Sequence, residues 1–549
     1  MNTCISDPQV RFQLFKICVQ PKIAHLELPD MLFSPEPTGD PTVFSTQSAS
    51  TVNDFLSTLL YGQHSTRQLS ELSSLQAIQP VSNGGLGLRS TQEPRIGRYL
   101  VPVIRSIRHA LDGISLSKAP VDEDHPPLTI ILPDSLKKMY QPWQTFHPKL
   151  VSIVHHLQAH IQQLPRFADI AQGELLPHLV LQAPLTGLAK CLYRQLVNSR
   201  LVDLKVSLPA NDNLTLASHQ NHLATVPVAH MTRRIVSNRL HPADFRTLVG
   251  LTIQADIFDD STPHRCFCSH ADFDKKVHHS FSCSEIHKTR AHDIVRDALY
   301  TIFKKIIPYV PSIGNAVVCK EQPGYHRTAT RLRPGDVSIH YGETRTNLFS
   351  ALIVDVTSLG FTPESLHHDV SKPVTDTVIQ HHVSKERDKF RGGRGYSGGP
   401  TFISGEDVMA TLNQQDLQFV PFTWDAGGSL GPCAHDLLFG SKEIATSKKC
   451  SPKLHLPGQE ALRRTSGKDR LTGILRQADK GWIELHGRSK WFTPHYQTTL
   501  PSTFAKHTLG LAIARARLHL ISRVKRRLRS DNLKNQVTFL TIPDPGRDI

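Results

Sequence analysis

Between residues 292 and 440 the chain alternates between two hydrophobic periods. HDIVRDALYTIFKKIIPYV (292–310) spaces its apolar residues as one face of a helix does. Two short β-type runs follow: Val337-Ser338-Ile339 after a Pro-Gly turn, and Leu352-Ile353-Val354 with Val356, interrupted by Asp355. HHVSKERDKF returns to helical spacing, LQFVPFTWD (417–425) reads as a further strand, and GGSLGPCAHDLLFG comes after it. Helix–strand–strand–helix–strand over roughly 150 residues fits one compact α/β domain.

The pattern is weaker upstream. Residues 1–55, rich in Pro, Ser and Thr, predict a poorly ordered lead-in, so residues 1–80 form no well-defined unit. Helical spacing begins near Asp54, and Gly84-Gly85-Leu86-Gly87 marks a turn; with no following Lys-Ser/Thr it is not a phosphate loop. Residues 81–255 read mainly as helices, broken by proline-bearing stretches at 120–127 and 209–213. The arginines of MTRRIVSNRLHPADFRTLVGL (231–251) suit a solvated helix face.

The last fifth changes in charge. Residues 441–549 hold 22 Lys and Arg against 8 Asp and Glu, which is most of the chain's formal net charge of +15. Such asymmetry points to a polyanionic partner, nucleic acid or an anionic membrane. Within FAKHTLGLAIARARLHLISRVKRRLRSDNLK, Leu509, Leu511, Ile513, Leu518, Leu520, Ile521 and Val524 fall at roughly helical spacing among basic residues. A nucleic-acid-binding, a membrane-surface and a docked helix all fit that pattern; the charge favours the first, with Arg523, Lys525, Arg526, Arg527 and Arg529 as its contacts. No apolar stretch approaches about 18 residues, and the N-terminus lacks a basic region followed by a long apolar core. Neither a spanning helix nor a secretory leader is expected. Nine mostly scattered cysteines argue against a disulfide scaffold and for a reducing, intracellular compartment.

Two constellations carry chemistry. In CFCSHADFDKKVHHSFSC, Cys266, Cys268, His279 and Cys283 offer three thiolates and an imidazole, a set suited to tetrahedral Zn²⁺; His264, His270 and His278 compete as ligands. The second is the aspartate pair. A carboxylate within an apolar strand is costly to desolvate, and a second on the neighbouring strand adds repulsion unless a cation lies between them. Asp336 and Asp355 therefore read as a hard-metal site for Mg²⁺ (or Mn²⁺), with the Val356 carbonyl as a third oxygen. In a basic chain this suggests phosphodiester chemistry. Lys385 and Lys389, four apart on one helix face, could reach the site. Phe258-Asp259-Asp260 lacks a polymerase-like context and fits a turn.

Taken in order, GGLGLR, a helical region, C-x-C…H-x-x-x-C, H-x-x-x-R-D, RPGDV, a strand ending in DVT, a Lys-rich helix and FVPFTWDAGGSLGP resemble the C-terminal part of non-LTR retrotransposon polyproteins that use a restriction-like endonuclease. The likeness spans roughly residues 80–440, thinly between 100 and 230, and includes no polymerase domain. Ser269 and Val277-His278 depart from the family's glycines and Gly-Asp around the knuckle.

The resemblance implies a multidomain chain. A helical N-terminal and connector region, resembling the post-thumb region, would lead into a zinc knuckle over 256–290. An α/β restriction-endonuclease-like domain of the PD-(D/E)xK type, a mixed sheet flanked by helices, would cover 291–440, followed by a basic helical tail over 441–549. It further implies Asp336 and Asp355 as metal-binding carboxylates, and Cys266, Cys268, His279 and Cys283 as the knuckle. Lys389, before Phe390, is its helix lysine, with Lys385 second and Glu321 an additional acidic residue. DNA, and secondarily the element's RNA, are the implied partners, and the nucleus the implied compartment. A non-catalytic nucleic-acid-binding remnant is the competing expectation.

Overall fold

The computed structural model describes residues 7–20, 41–63, 65–88, 104–105, 161–162, 168–170, 188–219, 240–257, 264–265, 268, 272–273, 276, 278–281, 283, 288–313, 315–320, 335–341, 350–360, 374–390, 404–414, 417–425, 427–440, 471–486 and 500–532. These are mostly helical, with a small four-stranded mixed sheet. They fall into two compact units, Met1–Pro80 with Gly87–Ser207, and Val81–Leu86 with Leu208–Ile549.

Within the expected lead-in, residues 7–20 and 41–55 are described, and nearly all of these are helical. Asp7 caps helix α1 (Pro8–Leu14), its carboxylate accepting from the amides of Gln9 and Val10. Phe12 is fully buried, and Phe15 stacks on Phe55 of α2 (Pro41–Tyr61). A Ser/Thr-rich composition hides these few apolar residues, which pack all the same. Helices α3 (Glu71–Ile78) and α4 (Leu188–Ser207) also pack together in this unit.

The second unit holds α5 (Ala210–His219), α6 (Pro242–Thr252), a two-stranded ladder β1 (His264–Arg265) and β2 (Asp272–Phe273), and the sheet. Helix α7 (Thr289–Ile306) buries Ala291, Val295, Leu299, Ile302, Phe303 and Ile306, a stripe repeating every three to four residues. Strands β3 (Val317–Lys320), β4 (Val337–His340) and β5 (Ala351–Leu359) form antiparallel neighbours in that order. β6 (Leu417–Asp425) pairs parallel with β5 over nine residues, after α8 (Val374–Phe390) and α9 (Gly405–Gln414). The alternation of side chains assigns Leu352, Val354, Val356, Val420, Phe422 and Trp424 to the face that joins the main core with α7. Ala351, Ile353, Leu417 and Phe419 pack on the other face with Leu412 and Phe390. Covered on both faces, all nine residues of β6 are buried, which accounts for its nearly continuous apolar run.

α10 (Pro432–Phe439), α11 (Ile474–His486) and α12 (Pro501–Asn532) complete the unit. Along α12, Ala505, Leu509, Ile513, Ala516, Leu520, Ile521 and Val524 join the main core, and the helix packs lengthwise on α7. Of the three readings open for this segment, docking is the one observed through Val524; its apolar stripe outweighs the interspersed charge. Arg517 is itself buried, its guanidinium donating to His219 Nε2 at 2.9 Å, and burial lowers its pKa to about 10. Arg523 is exposed, whereas the side chains of Lys525, Arg526, Arg527 and Arg529 lie outside the described residues. No described helix is long and apolar enough to cross a membrane.

Because Phe422 is fully buried on the core face of a strand covered on both sides, Phe422→Ala is expected to cost about 3–5 kcal/mol. The urea midpoint should fall with an unchanged slope; a midpoint within error of wild type would remove this strand from the core.

Candidate functional site

Register brings the two aspartates together. Val337 pairs with Val354, so Asp336, one residue before β4, is placed opposite Asp355, and the Asp336 N–H donates to the Val354 carbonyl at 2.8 Å. This approach requires glycine at 335, where a Cβ would lie 2.5 Å from Ile353 Cγ2 and 2.9 Å from the Val354 carbonyl oxygen. The side chains of Asp336 and Asp355 are 17 % and 18 % exposed, largely desolvated yet still reached by solvent.

Each carboxylate has its own partners. Asp336 Oδ2 accepts from the Val356 N–H at 2.6 Å and from His292 Nε2, near the start of α7, at 3.1 Å. The main-chain N–H of Val356, the residue whose carbonyl is the expected third metal oxygen, thus meets Asp336. The hydrogen bond to Asp336 holds the His292 imidazole above its ordinary pKa, against the opposing effect of burial. Asp355 Oδ2 lies 2.9 Å from Lys389 Nζ and accepts from the Thr357 hydroxyl at 3.2 Å. Burial, partly offset by Lys389 and reinforced by the Asp336 charge, pushes the Asp355 carboxyl above the usual carboxylate range. Of the two candidate lysines, Lys389 is at the site. Lys385 points elsewhere, 4.0 Å from Asp388 and about half exposed. Glu321 lies outside the described residues.

The sequence signalled the aspartates through their apolar flanks. His292 had a weaker signal, as one member of the H-x-x-x-R-D motif without an assigned role; only the packing of α7 beside β4 shows what it touches. That helix continues in charge: Arg296 bridges Asp293 and Asp297 at 2.9 Å each, and Asp297 also meets Lys320 of β3 at 2.6 Å.

The second constellation forms in part. Cys268, His279 and Cys283 place one ligand atom each within 4.8 Å of one another, the one group of three or more His, Cys, Asp or Glu ligands so arranged among the described residues. Cys268 Sγ and His279 Nε2 are 3.2 Å apart, close to the roughly 3.5 Å separation of sulfur and nitrogen on a tetrahedral ion. Geometry comes from short elements: β1 and β2 flank Cys268, and His279 lies in a 3₁₀ turn (His278–Phe281) whose carbonyl accepts from the Cys283 N–H at 3.0 Å. Burial lowers the Lys288 pKa, and the nearby Cys283 opposes that shift. These three residues could hold a metal ion. The fourth expected ligand, Cys266, lies outside the described residues, as do the side chains of His264, His270 and His278 and the Phe258-Asp259-Asp260 segment.

No protein-family profile matches the chain, and no curated protein matches its sequence.

Two outcomes follow from this geometry. The Asp355 carboxyl binds its proton more tightly when folded than when unfolded, so its contribution to stability is present at low pH and lost as pH rises from the unfolded toward the folded pKa. Asp355→Asn, which cannot ionise, is expected to unfold at higher urea than wild type at about pH 7, the gap closing below about pH 4. Equal midpoints at neutral pH would show that Lys389 already offsets the cost. For the cysteine cluster, elemental analysis should find about one thiophilic divalent ion per chain, lost in Cys283→Ser; undiminished metal would place the ion elsewhere.

Proposed function

We propose that this protein is a divalent-metal-dependent DNA endonuclease of the restriction-like PD-(D/E)xK type, derived from a non-LTR retroelement and carrying a zinc knuckle. The observation that carries this reading is the juxtaposition of Asp336 just before β4, Asp355 on β5 and Lys389 on the crossover helix α8. The order helix–three strands–two helices–strand, with β4 and β5 antiparallel and β5 and β6 parallel, supports it.

In this reading Asp336 and Asp355 would hold Mg²⁺ or Mn²⁺, hard cations that prefer carboxylate oxygens. Such an ion supplies charge neutralisation at the scissile phosphate and a more acidic water. The remaining work falls to the chain. The Val356 N–H and His292 fix the Asp336 carboxylate, so its second oxygen is directed without a loss of rotamer freedom on binding. Lys389 turns from Asp355 toward the phosphate or the attacking water, where its ammonium stabilises the charge that develops. Cys268, His279 and Cys283, with Cys266, would hold Zn²⁺, and the basic C-terminal residues would grip the DNA backbone with salt-dependent affinity.

A second reading, a nuclease-like scaffold that binds nucleic acid without cutting, draws on the Lys389–Asp355 contact itself. The ammonium already neutralises one of the carboxylates that a cation needs.

Plasmid nicking separates the two. With Mg²⁺ or Mn²⁺, wild type should nick supercoiled DNA, Asp336→Ala and Asp355→Ala should not, and Lys389→Ala should be slower by about 100-fold or more. Lys385→Ala should stay within about threefold of wild type, as an exposed helix residue. DNA binding by all five proteins with nicking by none would establish the scaffold reading instead.

A further inference from the structure

The inner face of α8 carries a buried polar array that the nuclease chemistry does not use. His382, Glu386, Thr423 and Asp425 are at most 1 % exposed, and Ser218 of α5 is fully buried. Asp425 Oδ1 accepts from the Ser218 hydroxyl at 2.6 Å and from the Ser429 N–H at 2.9 Å, and Oδ2 accepts from His382 Nε2 at 3.1 Å. His382 Nδ1 lies 2.9 Å from Thr423 Oγ1, which lies 3.0 Å from Glu386 Oε1; that oxygen also accepts from the Cys433 N–H at 3.1 Å.

A count of hydrogens shows what this array needs. Asp425 faces three donors, so it is the carboxylate and His382 carries a proton on Nε2. Nδ1 and Glu386 Oε1 then both face the Thr423 hydroxyl, which has a single hydrogen. With Nδ1 bare and Glu386 ionised, one of those two contacts sets lone pair against lone pair. One further proton, on Glu386 or on Nδ1, satisfies the whole chain. Glu386 Oε2 is buried with no hydrogen-bond partner among the described residues, so an ionised carboxylate would leave one oxygen uncompensated. The array is also closed: a Cβ at Gly431 would lie 1.9 Å from Thr423 Oγ1 and 2.2 Å from Glu386 Oε1. Burial pushes the Glu386 carboxyl up to about 7, in keeping with this count.

Glu386 stands three residues before Lys389 on the same helix. We infer that Glu386 is a positioning residue for Lys389: a proton shared with His382 through Thr423 clamps the last turns of α8 onto β6 and so sets the lysine against Asp355. The catalytic consequence rests on the nuclease reading; the clamp does not. Charged and titratable groups around Glu386 are His382 and, more distantly, His381 and Lys385 on α8, Asp425 beyond Thr423 on β6, and Cys433 on α10, whose thiol and N–H oppose the effect of burial on Glu386; Asp425 in turn opposes the effect of burial on Arg517 of α12.

Glutamine at 386 can donate to Thr423 as the protonated acid does, and alanine cannot. Backbone hydrogen exchange over residues 385–390 in the full chain, corrected for intrinsic rates, reads the clamp directly. In wild type, protection there should fall by about tenfold between about pH 6 and about pH 8.5, while that of α7 changes less. Glu386→Gln should flatten the dependence, and Glu386→Ala should be weakly protected throughout. Wild-type protection independent of pH, a glutamine variant that behaves as the alanine one, or loss spread equally over α7 would each overturn the inference. Nicking rates of the three proteins should follow the same pattern, with the alkaline decline flattened in Glu386→Gln. A wild type that never nicks refutes the nuclease reading alone, since exchange still decides the clamp.

Discussion

Two parallel neighbouring strands cannot be joined by a tight turn, and that constraint governs the second unit. β5 and β6 run side by side for nine residues, so the chain between them must cross the sheet before returning. The crossover includes α8 and α9, which cover one sheet face, while α7 and α12 share a core with the other. Asp355 faces the crossover side, and for this reason a lysine from α8 reaches it. The contact follows from the connection between strands and needs no short motif linking the two residues.

The same arrangement concentrates ionisable groups where water is scarce. Asp355, Glu386, Asp425 and Arg517 would each be costly alone. Their compensation takes different forms: a lysine at the rim for Asp355, three donors for Asp425, a shared proton for Glu386, and His219 with the more distant Asp425 for Arg517. The partly exposed carboxylates lie at the open end of this series and the saturated ones at its closed end. Under the nuclease proposal, a site built this way would expose its reactive groups while the buried array holds α8 in place.

Much of this was legible in the residues. Asp336 and Asp355 stand out because apolar flanks make a carboxylate conspicuous, and LQFVPFTWD reads as a strand because both its faces are buried. β3 was missed, since VVCK is short, lies at the sheet edge and has a partly solvated pattern without apolar contrast. The helices over residues 8–19 and the first part of α2, before Asp54, were missed because a few buried aromatics among Ser and Thr leave little periodic signal. In α12 the charges are conspicuous in one dimension, whereas the packing of Leu509, Ile513, Leu520 and Val524 into the core with α7 is a tertiary fact. The choice between Lys385 and Lys389, and the role of His292, likewise needed helix orientations that spacing does not supply.

The docking of α12 also bears on how the chain reaches this state. Arg517 meets a partner 298 residues earlier in sequence, and α12 completes the core around α7. Loop closure over such distances comes late in folding, and synthesis is directional. While the ribosome makes the middle of the chain, the apolar face of α7 that α12 will cover has no permanent partner. Until α12 is synthesised, the core that α7 shares with the sheet lacks the side chains of Leu509, Ile513, Leu520 and Val524, which fill part of it.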